Sequence, residues 1–349
     1  MNPDQVERVA VLGGGVMGHG IAQVAAAAGF QVTVRDVAQE FLDGAQQGIE
    51  RSLRRAVDRG RMTEEAARAI LERISLTLDL HEAVGEAELV IEAVPEDLAL
   101  KHRVWREVSE KARRDALLAT NTSSLSITSI AEAVSRPERF VGIHFFNPPV
   151  LMKLVEVIPG ARTSTEAVEL AEALAERMGK KPVAVKRDTP GFIVNRVLVT
   201  YLNEAAKLLD AGYTKEQIDS AMQHREGMPL GPFMLADLIG LDIVHSILKV
   251  FQENLGPEYG PAKSIEELFT AGKLGRKTGE GFYSYEERPS IPKEAGEGFD
   301  VNLLLDSMIE EAEKIVREGI ADEEAVDAAL KLGANLPLGP FEMKGRRRG

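Results

Sequence analysis

A chain of 349 residues with 44% apolar and 28% charged side chains, a net charge of −13 and no cysteine is long enough for two domains and has the composition of an ordinary globular protein. The acidic balance argues against nucleic acid as a partner, and the lack of cysteine excludes disulfides and thiolate metal sites. No run approaches 18 consecutive apolar residues. Met1-Asn2-Pro3-Asp4-Gln5 lacks the regions of a secretion signal, and His19, His81, His102, His224 and His245 show no metal-ligand spacing. The expectation is a cytoplasmic protein with no membrane partner and no metal.

From Val6 to about Arg187 strand and helix patterns alternate, which predicts an α/β, doubly wound sheet of the Rossmann type. Val9-Ala10-Val11-Leu12 reads as a buried parallel strand. It turns through Gly13-x-Gly15-x-x-Gly18, with Val16 and Met17 before the last glycine, into an Ala-rich helix ending near Gly29. Those glycines permit a tight turn, close backbone approach to a pyrophosphate and helix-on-strand packing, with the phosphates on the helix N-terminus. A second strand, Gln31 to Arg35, ends in Asp36, at the spacing where a carboxylate accepts hydrogen bonds from an adenosine ribose. Asp36 therefore predicts NAD over NADP, although Arg35 beside it could accept a 2′-phosphate.

Between the second and third strands, Ile49 to Arg59 and Glu64 to Ile74 form two helical patterns joined by Gly60-Arg61-Met62-Thr63. The first carries Arg51, Arg54, Arg55 and Arg59, a charge run that is usually a solvated face. Farther on, the apolar run Ala116 to Ala119 delivers Asn121-Thr122-Ser123-Ser124-Leu125 to the carboxyl end of a strand, where such folds bind ligands. Ser123 could equally cap a helix from Ile127 onward, a role open also to Ser124 or Ser126. No G-x-S-x-G elbow surrounds it, so it is not read as a nucleophile.

Two more strand-like runs, Phe140 to Phe146 and Leu154 to Ile158, carry His144 and Glu156. A histidine can take a hydroxyl proton as hydride leaves a secondary alcohol, and a carboxylate on its other nitrogen fixes the tautomer. Standing alone, such a pair is more often structural, but the upstream loop favours chemistry. From Thr189 helical periodicity takes over: a helix from Gly191 to Ala211, another from Lys215 to Gln223, and a third region from Pro232 to Asn254. The second domain is expected to close one side of the crevice. Asn195 lies in the strongly apolar run Phe192 to Leu198, where an unpaired amide costs on the order of 1–3 kcal/mol. The Gly-rich stretch Gly272 to Tyr283 suits loop packing as well as phosphate contact.

An internal repeat follows. Gly191-Phe192-x-x-Asn195 returns as Gly298-Phe299-x-x-Asn302, Glu204-Ala205 as Glu311-Ala312, Gly212 as Gly319, and Asp219-x-Ala221 as Asp327-x-Ala329. Pro229-Leu230-Gly231-Pro232-Phe233 returns as Pro337-Leu338-Gly339-Pro340-Phe341. The copy has Leu303 where Arg196 stood, stops before any counterpart of later helices, and runs into Gly345 to Gly349, expected to be an abrupt, disordered end. The predicted domains are 1–188, 189–287 and a truncated helical repeat at 290–349. The apolar stripe Val301, Leu304, Leu305, Met308, Ile309, Ala312, Ile315 and Val316 is expected to pack in cis against the Gly191 to Ala211 helix.

The Gly13 to Gly18 loop, Asn121 to Leu125, His144 to Glu156 and Asp188-Thr189-Pro190-Gly191-Phe192-Ile193-Val194-Asn195-Arg196 together resemble the L-3-hydroxyacyl-CoA dehydrogenase family, including 3-hydroxybutyryl-CoA dehydrogenases, over about residues 5 to 287. The resemblance implies reversible NAD-dependent oxidation of (3S)-3-hydroxyacyl-CoA, with His144 and Glu156 as catalytic dyad and Ser123, Asn147 and Asn195 holding the substrate. It implies cofactor contacts at Glu96, Lys101 and Asn121, and CoA contacts at Ser52 and Arg59, with Arg where the family usually has Lys. The repeat resembles the duplicated helical domain of longer relatives, in which a hydratase can follow. A hydratase partner, and either a homodimer or a monomer with an intramolecular pseudo-dimer, are therefore open. Two other readings stand beside this one: a dehydrogenase of free hydroxy acids, as in gulonate dehydrogenases, and a non-catalytic NAD-binding relative of the lambda-crystallin kind. Retention of all five polar site residues speaks against the last.

Overall fold

Most of the apolar runs of the first half pair into one eight-stranded sheet, in the order β3-β2-β1-β4-β5-β6-β7-β8. The strands are β1 (Arg8–Leu12), β2 (Gln31–Arg35), β3 (Ile74–Thr77), β4 (Leu89–Glu92), β5 (Leu117–Thr120), β6 (Phe140–Phe145), β7 (Leu154–Pro159) and β8 (Lys181–Ala184). All neighbours run parallel except β6 and β7. Strands β4, β5 and β6 are buried along their whole length, as expected for a sheet covered on both faces, and so read as continuous apolar runs. Helices α1 (Val16–Ala27), α2 (Gln39–Asp58), α3 (Glu64–Leu71), α4 (Leu80–Val84), α5 (Leu98–Lys111), α6 (Ile127–Ala131) and α7 (Thr165–Arg177) connect them. The chain passes from β1 to β2 and β3 on one side, then returns to β4 on the other side of β1. That reversal opens a crevice at the carboxyl ends of the strands. The structure, a computed structural model, describes residues 2–348, and this sheet with its helices forms one compact unit, Met1–Asp188.

Val9, Val11, Val34, Ile91, Ala119 and Ile143 on the sheet pack with Ile21 and Ala25 of α1 and with Leu170 and Leu174 of α7, each larger side chain contributing about 1.5–3 kcal/mol of burial. Two predicted helix boundaries move. Helix α2 starts at Gln39, not Ile49, because Leu42 and Ala45 share the buried face of Ile49 and Leu53. Helix α3 ends at Leu71, and Ile74 opens β3, paired with Val32, because parallel pairing claims the β-branched residue.

The second unit, Thr189–Gly349, is helical: α8 (Val194–Asp210), α9 (Lys215–His224), α10 (Pro232–Ile239), α11 (Leu241–Asn254), α12 (Lys263–Thr270), α13 (Asn302–Arg317), α14 (Glu323–Gly333) and α15 (Pro340–Arg348). The single region foreseen from Pro232 to Asn254 is two helices, broken at Gly240, whose φ of 104° is left-handed. The repeat is real in three dimensions. Asp219 accepts the Phe233 and Met234 N–H groups at 2.8 and 3.1 Å, capping α10, and Asp327 accepts those of Phe341 and Glu342 at 2.9 and 3.0 Å, capping α15. Helix α13 packs along α8, with Leu304, Leu305, Met308, Ile309, Ala312 and Ile315 buried. Both copies thus share one unit.

The expected disordered end is instead helical to Arg348, with Arg346 paired to Glu226 at 2.9 Å and Arg347 to Asp306; Gly349 lies outside the described residues. The helix persists because its charged face finds carboxylate partners. The Gly272 to Tyr283 stretch packs around Asp237, which accepts the Phe282 and Tyr283 N–H groups at 2.8 and 2.9 Å.

Candidate active site

The glycine loop sits where β1 leaves the sheet. Gly13 has φ 104°, and a Cβ there would lie 2.7 Å from the Ala93 carbonyl oxygen; on Gly18 one would meet the Gly13 carbonyl oxygen at 1.8 Å. A Cβ on Gly15 would meet nothing within 4 Å, and Gly15 and Val16 face solvent, with Met17 half-buried. Gly15 is the N-cap of α1 and provides no side-chain cap, so the N–H groups of Val16, Met17 and Gly18 have no intrahelical acceptor. Open space before an uncapped helix start fits a dinucleotide pyrophosphate. Asp36, just past β2, accepts Gly14 N–H at 2.6 Å and Val37 N–H at 2.6 Å. These bonds aim its carboxylate at the loop and leave lone pairs for ribose hydroxyls.

The ends of β4 and β5 carry a second polar cluster. Lys101, 1% exposed, places its ammonium 2.6 Å from fully buried Glu92 and 3.4 Å from Glu96. Glu92 also accepts the Thr120 hydroxyl at 2.8 Å and the Val94 N–H at 2.8 Å. Glu96 collects the Thr122 hydroxyl and the Ser123 and Ser124 N–H groups at 2.5, 2.8 and 3.1 Å. Burial works against its charge, but Lys101 and these donors outweigh it and hold the carboxyl below the ordinary carboxylate range. Lys101 therefore lies behind Glu96, and the half-exposed Glu96 is the member of the pair that faces outward. Asn121 accepts the Phe145 N–H at 2.8 Å, tying the β5 loop to β6. Helix α6 is capped by Ser126, whose hydroxyl accepts Ser129 N–H at 3.1 Å, so capping does not account for Ser123.

His144 and Glu156 face each other directly in the antiparallel β6–β7 register. His144 Nδ1 lies 2.8 Å from Glu156 Oε2, with Glu156 fully buried and His144 4% exposed. Antiparallel pairing places both at the same strand edge as Asn121 and Ser123, although twelve positions separate them. The ring of Phe146 packs on His144 at 4.4 Å. Asn147 follows, exposed, at the mouth of the loop.

Ser52 and Arg59 line one cleft of about 530 Å³ between α1, α2 and the Pro148–Leu151 loop, together with Arg51, Arg55 and Arg61. Among the described residues none of these guanidiniums has a carboxylate partner, so the cleft keeps its positive charge. Arg54 does not line it. Asn195 belongs to the second unit, half-buried in the first turn of α8. Sequence reasoning missed Glu92, for a lone Glu closing an apolar strand matches no motif. Within the run Arg51, Arg54, Arg55 and Arg59 it could not tell Arg54, which does not line the cleft, from the other three, which do, and it gave Arg61 no role.

Residues 8–189 match the family described as 3-hydroxyacyl-CoA dehydrogenase, NAD binding domain. Residues 191–285 and, separately, 298–345 match 3-hydroxyacyl-CoA dehydrogenase, C-terminal domain. The chain is 43% identical over 289 residues to hydroxyacyl-coenzyme A dehydrogenase, mitochondrial, of Sus scrofa, covering 80% of this chain and 92% of that one. It is 43% identical over 288 residues to probable 3-hydroxybutyryl-CoA dehydrogenase of Bacillus subtilis, covering 82% and 100%. The crystal structure of 3-hydroxybutyryl-CoA dehydrogenase from Escherichia coli superposes with a TM-score of 0.92 at 32% identity, covering 99% of this chain and 92% of that one. With its glycine loop, its buried His–Glu pair and these likenesses over both units, the chain belongs to the 3-hydroxyacyl-CoA dehydrogenase family of NAD-binding oxidoreductases.

Proposed function

We propose that the chain oxidises (3S)-3-hydroxyacyl-CoA to 3-ketoacyl-CoA and runs the reverse reduction. The observation that carries this reading is the buried 2.8 Å His144–Glu156 pair on the sheet edge that also bears the dinucleotide loop. NAD, when bound, supplies the hydride acceptor. His144 Nε2, the nitrogen that Glu156 does not engage, takes the proton of the 3-hydroxyl. Glu156 holds the tautomer and stabilises the imidazolium that forms. Ser123, Asn147 and Asn195 hydrogen-bond the substrate; Glu96, backed by Lys101, and Asn121 contact the nicotinamide ribose side; and Asp36 accepts from the adenosine ribose.

The arginine-lined cleft supports a polyanionic substrate on a chain whose net charge is −13, because Arg59, Ser52 and their neighbours supply local attraction for CoA phosphates. The packing of α13 on α8 supports a monomer with an internal pseudo-dimer over a homodimer through that face. Loss of NADH absorbance with acetoacetyl-CoA and with longer 3-ketoacyl-CoA tests the activity and ranks chain lengths. Turnover of free hydroxy acids with none of the thioesters would overturn it.

A further inference from the structure

The turn into α8 is strained. Gly191 has φ 74°, and Phe192, buried and bulky, has φ 53°, a conformation that non-glycine residues of this size rarely adopt and that persists only where the surroundings enforce it. Arg196 supplies the enforcement. Its N–H bonds the Gly191 carbonyl at 3.1 Å, and its guanidinium, 1% exposed, reaches the Thr189 hydroxyl at 3.3 Å. The same guanidinium is gripped by the second copy: Glu311 at 2.7 Å, and Glu318 through both oxygens at 2.8 and 2.9 Å. Asn195 sits between the strained turn and this clamp.

The repeat contains its own control. Where Arg196 is replaced by Leu303, 40% exposed, the equivalent Phe299 has no positive φ. Asn302, the counterpart of Asn195, is exposed and bonded to Asp300. Strain and arginine occur together in one copy and are both missing from the other.

We infer that Glu311 and Glu318 are positioning residues: through Arg196 they hold the Thr189–Ile193 turn in its strained form and thereby fix Asn195 for substrate. The role of the truncated repeat is thus to set the conformation of the turn that carries Asn195. This rests on the reading of Asn195 as a substrate contact, and the test separates the two. Glu318 is the residue to change, because its side chain is 44% exposed, whereas altering Glu311 strands a buried guanidinium.

Acetoacetyl-CoA reduction is measured for the full chain, Glu318→Gln, Asn195→Ala and the double variant, with Arg196→Lys as a second probe of the clamp. Glu318→Gln is expected to lower kcat/KM by roughly 10- to 100-fold, the scale of a misplaced contact, with NADH affinity unchanged. Asn195→Ala lowers it as well, and the double variant is no worse than Asn195→Ala alone. Losses that multiply in the double variant would overturn the inference while leaving Asn195 in its role. A silent Asn195→Ala would overturn both.

Discussion

Replacing Glu156 by glutamine removes one charge and nearly preserves the shape of the buried pair, so the change in turnover measures what that charge contributes. Glu156 Oε2 is 2.8 Å from His144 Nδ1, and neither residue is more than 4% exposed. Charge centres about 4 Å apart interact by about 4 kcal/mol at an effective dielectric of about 20. The amide oxygen of the variant still accepts the Nδ1–H, which retains about 1 kcal/mol as an ordinary hydrogen bond. The remaining loss, about 3 kcal/mol, appears only when His144 becomes an imidazolium, as the hydroxyl proton arrives. In the oxidation direction kcat should therefore fall by about 10²-fold.

The assay is steady-state oxidation of 3-hydroxybutyryl-CoA at saturating NAD, with cofactor affinity followed separately by fluorescence titration. Affinity should hold, because the glycine loop and Asp36 make no contact with Glu156. A loss of less than about threefold would refute the reasoning, since the carboxylate would then contribute less than about 1 kcal/mol to the chemical step. A large loss of thermal stability would show instead that the pair holds β6 to β7.

Three other perturbations have definite outcomes. His144→Gln should cut turnover by on the order of 10³-fold with NADH affinity nearly unchanged, measured by the same two assays; normal turnover removes the dyad mechanism. Asp36→Ser takes away a ribose acceptor and the repulsion of a 2′-phosphate, so the NADPH-to-NADH ratio of kcat/KM should rise by roughly tenfold, and a wild-type preference for NADPH would show that Asp36 does not set the choice. Burial pushes Asp219 up to about 7, against the Phe233 and Met234 N–H groups, with Asp237 adding to the push. A folded pKa above the unfolded one favours the protonated form. That stabilisation is complete below about pH 4 and is lost as pH climbs through about 7, so calorimetry should show melting temperature falling toward pH 8 and Asp219→Asn flattening that slope.

The buried half of the fold was legible because parallel strands covered on both faces leave uninterrupted apolar runs: β2 lies at Gln31–Arg35, as read, and β1 begins only one residue earlier than predicted. The start of α2 was illegible because Gln39 to Gln47 offers only Leu42 and Ala45 to the core, too sparse a stripe to register. At Gly240 the opposite happened, since the apolar period runs through the break on both sides and only the backbone angle reveals it. His144 and Glu156 were readable as residue types in strand-like surroundings, whereas their register, one directly opposite the other, belongs to the β6–β7 pairing. Glu92 and the set of arginines facing the cleft depend on which side chains converge from distant elements, a property that no local pattern carries.

What recurs between the two helical copies and what does not divides the second unit by physical role. A Cβ on Gly231 would fall 2.3 Å from Asp219 Cγ, and one on Gly339 2.3 Å from Asp327 Cγ, so each Pro-Leu-Gly-Pro-Phe turn needs its glycine to let a distant aspartate cap the next helix. Asp219 is fully buried and Asp327 nearly so, and a helix start left uncapped in such surroundings would bury unsatisfied N–H groups at a cost of about 1–3 kcal/mol each. Both copies must meet that cost to fold, and both keep the device. Neither the strained Phe192 nor the buried Arg196 is needed for three helices to pack, since the second copy packs without their equivalents. The strained turn and its buried arginine are therefore not a requirement of the helical packing itself, which sets the first turn of α8 apart from the rest of the helical unit.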